Sequence, residues 1–480
     1  MSLESKALLG VPWTILSYGA NKLITVGTTI VLARLLVPAD FGLFALALLA
    51  TNGLGMFNDL GLGGTLVLRQ DLDRRAQGTV LTVMVATAAT LAVLLAAASP
   101  LVARAFGEPR LEEILLALAP LILFGGVNWF HEALLQRELE FRRRFVAQTA
   151  QSLVYATSAI SLGALADAGV WSLVGGQLAG ILVYGAVLLM VVPYHVRPAF
   201  DREVVRLSVG TGSGFLVQRT CAFLQENADY LAVGRVLGPT QLGFYSMAYR
   251  LGELPYWAIA DPVAKVTFPG FARKRQRGED VRPSFLTVLR TVALVACPLS
   301  LALSAAAEPF TRVLLGDNWL PMIPVLSILG IWGVIRPVQV TLGWLLNSTG
   351  AAGLMGAISV ATLVILVPVL FIAAHRGGID AVAWVMVADM VLSSVLLTIA
   401  IRSRVRLAPG KIVRAVAPLV PALALGWAAG RVVATSVDAP LLALALSGAA
   451  TLAVYAATLR ILTPRVLPEA LRQARSTLGR

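Results

Sequence analysis

The stretches RLLVPADFGLFALA (Arg34–Ala47) and RVLGPTQLGFYSMA (Arg235–Ala248) carry Arg, Leu, Pro and Gly at identical spacing: Arg34/Arg235, Leu36/Leu237, Pro38/Pro239 and Gly42/Gly243. An aromatic follows each glycine by two positions, Phe44 in the first copy and Tyr245 in the second. In each copy an arginine closes an apolar run, where a cation meets the negative end of a helix dipole and can reach the membrane interface. A proline without an N–H then favours a turn. The glycine lets the next helix approach a neighbour closely. The pattern describes a hairpin between two helices, used twice.

The flanking sequence says what kind of helices these are. Hydrophobic residues make up 58% of the 480-residue chain and charged residues only 14%, against about 25% charged in a typical soluble domain. Fourteen apolar runs of bilayer-crossing length, roughly 20 residues or more, succeed one another between residues 11 and 461. The two hairpins join runs one to two (11–36, 40–67) and seven to eight (206–236, 240–268). A weaker echo, GVWSLV (Gly169–Val174) and GIDAVA (Gly378–Ala383), opens runs six and twelve. Both pairs lie six runs apart on one membrane side, as in a parallel repeat. The expectation is an all-α integral membrane protein of about 14 transmembrane helices. It would have two pseudo-symmetric six-helix lobes (1–200 and 201–405), then two further helices and a basic cytoplasmic tail (406–480).

A net charge of +13 does not call for nucleic acid here, because the charge is sorted by side. Alternate connections hold the basic clusters Arg137–Arg144, Arg273–Arg282 and Arg402–Arg414, whereas the opposite connections hold only Arg104, Arg110, Arg312, Arg376 and Arg431. By the positive-inside rule both termini are expected in the cytoplasm, in a bacterial inner membrane, with lipid headgroup contact a secondary role for the basic loops. Cys221 and Cys297 both fall within apolar runs and offer no disulfide framework. The first run is too long for a cleavable signal's apolar core. No connection is long enough for a soluble domain, so function must reside in the spans.

The motifs LARLLVPADFGLFALALL, DLGLGGTLVLRQDL, ALLQRELEFRRR, GVWSLVGGQ, VLGPTQLGFYSMAYRLGELP and AEPFTRVLLGDNWLP resemble those of polysaccharide exporters in the multidrug/oligosaccharidyl-lipid/polysaccharide superfamily. The nearest likeness is to lipopolysaccharide and exopolysaccharide repeat-unit flippases, over about residues 1–350. The resemblance implies two six-helix lobes forming a V around a central cavity. It also implies a polyprenyl-diphosphate-linked oligosaccharide carried from the cytoplasmic to the outer leaflet, and no enzymatic activity. A polysaccharide polymerase and glycosyltransferases are the partners expected alongside membrane lipids.

Charged side chains in mid-membrane cost about 2.5–3.5 kcal/mol on insertion scales, so those present mark candidate sites. Lys22, Arg219, Arg250 and Arg336 are candidates for receiving the diphosphate, arginine through bidentate charge-assisted bonds. The competing reading pairs Arg219 with Glu226 and Arg250 with Glu253 as packing. At helical spacing Lys22 shares a face with Tyr18, Thr25 and Thr29; Arg219 with Glu226 and Asp229; and Arg250 with Glu253, Asp261 and Lys265. Asn58, Asp59, Asn128, His131 and Glu132 add polar groups in runs two and four. Glu226, Asp229, Asp261 and Asp389 are candidates for binding a coupling proton or sodium ion, since burial raises a carboxyl pKa. His131 is expected to pack rather than titrate.

No P-loop, zinc-protease pair or supported metal motif survives context: HEALL lacks its second histidine, and DLD (Asp71–Asp73) sits in a short basic loop. Three functions compete. A lipid-linked oligosaccharide flippase for surface polysaccharide is supported by the motifs and the intramembrane cations. A cation-coupled drug antiporter of the same superfamily would want a cavity acidic or aromatic on balance. A flippase for a peptidoglycan lipid precursor is the third. A polymerase or transferase would need an outer domain for its acceptor, for which no outer loop is large enough.

Overall fold

The computed structural model describes residues 3–462 apart from 59–61, 69–71 and 193. Asp59, Asp71 and the basic tail beyond residue 462 lie outside the described residues, as do the side chains of Tyr18 and Lys265. Everything described is helix or connection, without a strand among the described residues. Backbone polar groups in a bilayer must be satisfied within the segment, which leaves the helix as the form an open chain can take there.

The chain divides into two compact units, Met1–Gly243 and Phe244–Arg480. The first contains α1 (Leu3–Leu35), α2 (Pro38–Gly55), α3 (Leu62–Leu68), α4 (Arg74–Phe106), α5 (Arg110–Arg137), α6 (Phe141–Leu165) and α7 (Val170–Val191), with most of α8 (Arg202–Gly252). Within it α6 packs along α7 and α1, and α4 packs along α5. The second holds α9 (Asp261–Gln276), α10 (Arg282–Ala305), α11 (Ala307–Phe310), α12 (Ile323–Ser348), α13 (Ala352–Val405), α14 (Pro409–Val416), α15 (Leu419–Ser436) and α16 (Pro440–Leu462). There α12 packs on α13 and α10, and α15 on α16.

Among the described residues, eight helical stretches are long and apolar enough to cross a membrane, including α4, α5, α7, α10 and α16. Several expected continuous runs are interrupted. Run 40–67 is two helices, because α2 ends at the glycine-rich Gly53–Gly55 and α3 starts only at Leu62. Run 240–268 breaks after Gly252: Pro255 precedes a π-turn at Tyr256–Ala260, and Pro262 opens α9. Each proline removes a backbone donor and crowds the preceding turn. The last-but-one run divides at Pro418 into α14 and α15.

The repeated hairpin is seen in both copies. Val37 is extended (φ −90°, ψ 156°) before Pro38, which occupies the first turn of α2. That is the place where a missing N–H costs nothing. Gly238 (φ 83°, ψ 178°) similarly breaks α8 before Pro239. The two turns then meet each other inside the first unit. A methyl at Gly42 would overlap the Pro239 carbonyl, and one at Gly243 would overlap the Pro38 carbonyl. The contact is reciprocal: each copy offers its glycine to the other's proline. The second echo is also a backbone feature. Gly169 (φ 53°) precedes α7 and Gly378 (φ 66°) breaks α13, both in the left-handed region that favours glycine.

Arginines at helix ends act as caps. Arg137, closing α5, donates to the Leu66 and Leu72 carbonyls (3.2 and 3.4 Å), and Arg143, in the first turn of α6, to the Val191 carbonyl at 2.8 Å. Leu66 and Val191, in the last turns of α3 and α7, thus have their acceptors satisfied. Asp73 of the DLD triplet accepts from the Ala76 N–H at 2.7 Å and caps α4. In the exposed loop before α10, hydrogen bonds from Arg282 hold the Asp280 carboxyl below the usual carboxylate range.

Gly42→Ala and Gly243→Ala should each destabilise the protein by about 1–3 kcal/mol, the usual range for overpacking. Gly27, with open space around its Cα, should accept alanine without loss. Thermal unfolding in detergent reads all three, and the Gly42/Gly243 double variant should fall short of additivity because the two sites share one contact.

Candidate polar cavity of the first unit

The helices carrying the polar residues build a cavity of about 400 Å³ in the first unit. Thr51, Asn52 and Gly55 reach it from α2, with Asn58 from the turn that follows; Gly125 and Trp129 come from α5, Gln177 from α7, and Arg219, Phe223 and Glu226 from α8. On α5 and α8 these positions recur at three- or four-residue steps, which places them on one face. A second cavity of about 410 Å³ lies next to it, lined by Gly63, Gly64, Val67, Trp129, Glu132, Ala133 and Gln136. Trp129 is the residue the two linings share.

The Arg219 guanidinium lies 4.5 Å from the Trp129 ring centroid. A stacked cation of this kind is worth about 0.5–2 kcal/mol, depending on its hydration. Asn58 is almost fully buried; its amide nitrogen donates to the Ile122 carbonyl at 2.9 Å, while its Oδ1 receives no donor. Glu132 accepts from Arg144 in an ion pair and from the Tyr184 hydroxyl at 2.9 Å. Both its oxygens are thus held from α6 and α7. His131 is buried, hydrogen-bonded to the Val127 carbonyl at 2.7 Å and edge-on to Phe130, a packing arrangement.

The structure brings Arg219, Glu226 and Asn58 to one cavity. Asp229 does not join them. It is fully buried, and its carboxylate accepts from the Tyr230 N–H; ten residues on from Arg219, at about 100° each, it lies roughly 80° off that residue's face. Lys22 is half-buried on α1, away from the lining just described. In the second unit Arg336 lies over Tyr256 and Trp332, 5.3 and 5.4 Å from their centroids, and within electrostatic range of Asp389. Arg250 is half-buried near the end of α8, and Asp261 opens α9. The break at Gly252–Pro255 and the π-turn remove the continuous helix that would have lined up Arg250, Glu253, Asp261 and Lys265. Glu253 instead accepts from the Trp257 indole N–H at 3.0 Å. No cluster of metal-ligating side chains occurs among the described residues.

Reading charges alone misses Trp129, Asn52, Gln177 and Gln136. Their signal is a stripe: Gly125, Trp129, Glu132 and Gln136 step by four, three and four along α5.

The fold is that of a known class of membrane transporter. The chain superposes on the lipid II flippase MurJ in an inward closed conformation with a TM-score of 0.76, covering 96% of this chain and all of that one at 12% identity. An inward-facing multidrug resistance transporter of the MATE family and MOP superfamily follows at 0.60, covering 85% and 95% at 16% identity. At such identities the likeness concerns the fold alone. The model of the family described as "Polysaccharide biosynthesis protein" matches residues 31–324, and the protein belongs to that family. Its relatives include the teichuronic acid biosynthesis protein TuaB of Bacillus subtilis (strain 168), 26% identical over 387 residues and 80% of each chain. The lipopolysaccharide biosynthesis protein WzxC of Escherichia coli (strain K12) is 25% identical over 79% of this chain and 77% of its own. The succinoglycan biosynthesis transport protein ExoT of Rhizobium meliloti (strain 1021) is 29% identical over 70% and 68%.

Glu132→Gln and Arg144→Met should each lower stability, and their double-mutant cycle should return a coupling of about 1–3 kcal/mol by thermal or chemical unfolding. Part of the pair's worth is lost to solvent, since the side chains are 20% and 33% exposed.

Proposed function

We propose that the protein is a flippase for polyprenyl-diphosphate-linked oligosaccharide, carrying repeat units for surface polysaccharide from the cytoplasmic to the outer leaflet. The observation that carries this reading is the family match, which spans residues 31–324 and takes in the hairpin repeat and the polar cavity. It is supported by relatives named for teichuronic acid, lipopolysaccharide and succinoglycan biosynthesis, one of them as a transport protein. The fold adds support, since the superposable MurJ is itself named a lipid II flippase. That likeness favours a second reading, in which the cargo is a peptidoglycan lipid precursor with the same diphosphate link.

In this proposal the chain crosses a bacterial plasma membrane fourteen times, with both termini in the cytoplasm, as two six-helix lobes and two further helices. Lys22, Arg219, Arg250 and Arg336 attract the diphosphate. A delocalised, always-charged guanidinium is suited to that role, and a low-dielectric surrounding strengthens it. Alternating access then moves the head group while the polyprenyl tail remains in lipid. Glu226, Asp261 or Asp389 carries the coupling proton or sodium ion. Asp229 does so only if it becomes exposed during the cycle. A polymerase and glycosyltransferases act before and after transfer.

Liposomes containing the purified chain and a fluorescent polyprenyl-diphosphate-oligosaccharide test the reading, with an impermeant quencher reporting leaflet exchange. The native chain should accelerate exchange, an imposed proton or sodium gradient should alter the rate, and Lys22→Ala, Arg219→Ala and Arg336→Ala should each slow it about tenfold, the worth of one charge-assisted hydrogen bond. Gradient-driven efflux of a small cation without lipid exchange would instead make the protein an antiporter.

A further inference from the structure

The two cavities of the first unit are adjacent, similar in size and joined at one aromatic residue, Trp129. Trp129 is 38% exposed, a large share for an indole that is also gripped by a guanidinium 4.5 Å away. Lipid does not explain the walls. An acyl chain there would leave Asn52, Asn58, Gln177 and Gln136 facing hydrocarbon, and each such amide costs several kcal/mol unless hydrogen-bonded. A diphosphate alone does not explain them either: it would engage the Arg219 guanidinium and leave the amides of both linings unmatched.

A pyranose ring fits both observations. It presents an apolar C–H face that packs on an indole, together with a rim of hydroxyls that donate and accept. Side-chain amides and carboxylates are the complementary groups for such a rim. Gly63 and Gly64 leave the wall of the second cavity without side chains, with Gly64 opening on free space. Cavities of about 400 and 410 Å³ lie within the roughly 300–1,000 Å³ range of small-molecule sites.

We infer that the two cavities flanking Trp129 are adjoining glycan subsites, with Trp129 as the stacking residue between successive sugars of one oligosaccharide. The inference deepens the flippase proposal and rests on it for the choice of cargo. It separates head-group recognition into two parts: sugars along the two linings and diphosphate on the cations, of which Arg219 borders the first cavity. Arg219 also holds the indole, and its planar stacking is the property lysine would not reproduce.

Two measurements on the full chain in nanodiscs and liposomes test it. The probe for the first is the free oligosaccharide released by mild acid from the polyprenyl-linked pool of the source cells, with inorganic diphosphate as comparison, read by calorimetry. The native chain should bind the free glycan, Trp129→Ala should weaken it about tenfold, and Trp129→Phe should keep most of the affinity because a ring remains. Gln177→Ala, on a different helix, should weaken binding as well, and it supplies the reading if Trp129→Ala fails to fold. Equal affinity in all variants overturns the inference, as does binding of diphosphate but not glycan.

The second measurement is leaflet exchange of two lipids, a polyprenyl-diphosphate-oligosaccharide and a polyprenyl-diphosphate-monosaccharide. Trp129→Ala should slow the first and spare the second. Equal slowing of both marks a structural residue and overturns the inference while leaving the flippase reading intact. Native exchange that is absent while the free glycan binds in a Trp129-dependent way removes the flippase reading and leaves the subsites standing.

Discussion

Two glycine–proline turns pressed against each other are the constraint on which the first unit depends. Gly42 lies against the Pro239 carbonyl and Gly243 against the Pro38 carbonyl, so backbone meets backbone with no side chain between. In lipid there is no hydrophobic gain from bringing helices together, and association relies on close packing and on weak C–H···O contacts. Only glycine permits that approach. Each proline contributes by opening its helix at a fixed φ, which places its own carbonyl at the turn where the other glycine arrives. The sequence repeat is thus a record of a contact between its two copies, and a substitution in either is felt in both.

With the hairpins fixed, polar residues can be carried on the helices that flank them. The helices α1, α2 and α6 hold Lys22, Asn52 and Arg144. Their neighbours α5 and α7 are apolar enough to cross, yet each turns a narrow polar stripe toward the same space. A membrane helix that spends polar residues in this way must bury them against protein or water rather than lipid.

The class of fold was legible because it is written in quantities that accumulate: apolar length, basic loops and a repeat with fixed spacing. Shared helix faces were legible where helices stay regular. Arg219 and Glu226 lie seven residues apart on unbroken helix and do reach one cavity. Extending the same arithmetic past Gly252 failed, since Pro255 and the π-turn change the angle per residue, and extending it by three to Asp229 turned the carboxylate into the packing. Trp129 escaped notice for another reason. A search for intramembrane charge passes over an indole, although Gly125, Trp129, Glu132 and Gln136 form a stripe that a search for any polar or aromatic face would find.

That stripe also sets an acid in the wall of the second cavity. Glu132 is bound by Arg144 through one oxygen and by the Tyr184 hydroxyl through the other, and neither of those partners lines the cavity. The carboxylate therefore presents acceptor lone pairs while its charge is balanced from behind. An unbalanced carboxylate would oppose the entry of any anionic head group, and a neutral amide could not hold α6 and α7 together. The arrangement separates hydrogen-bonding capacity from net charge, as the proposed sugar subsites require.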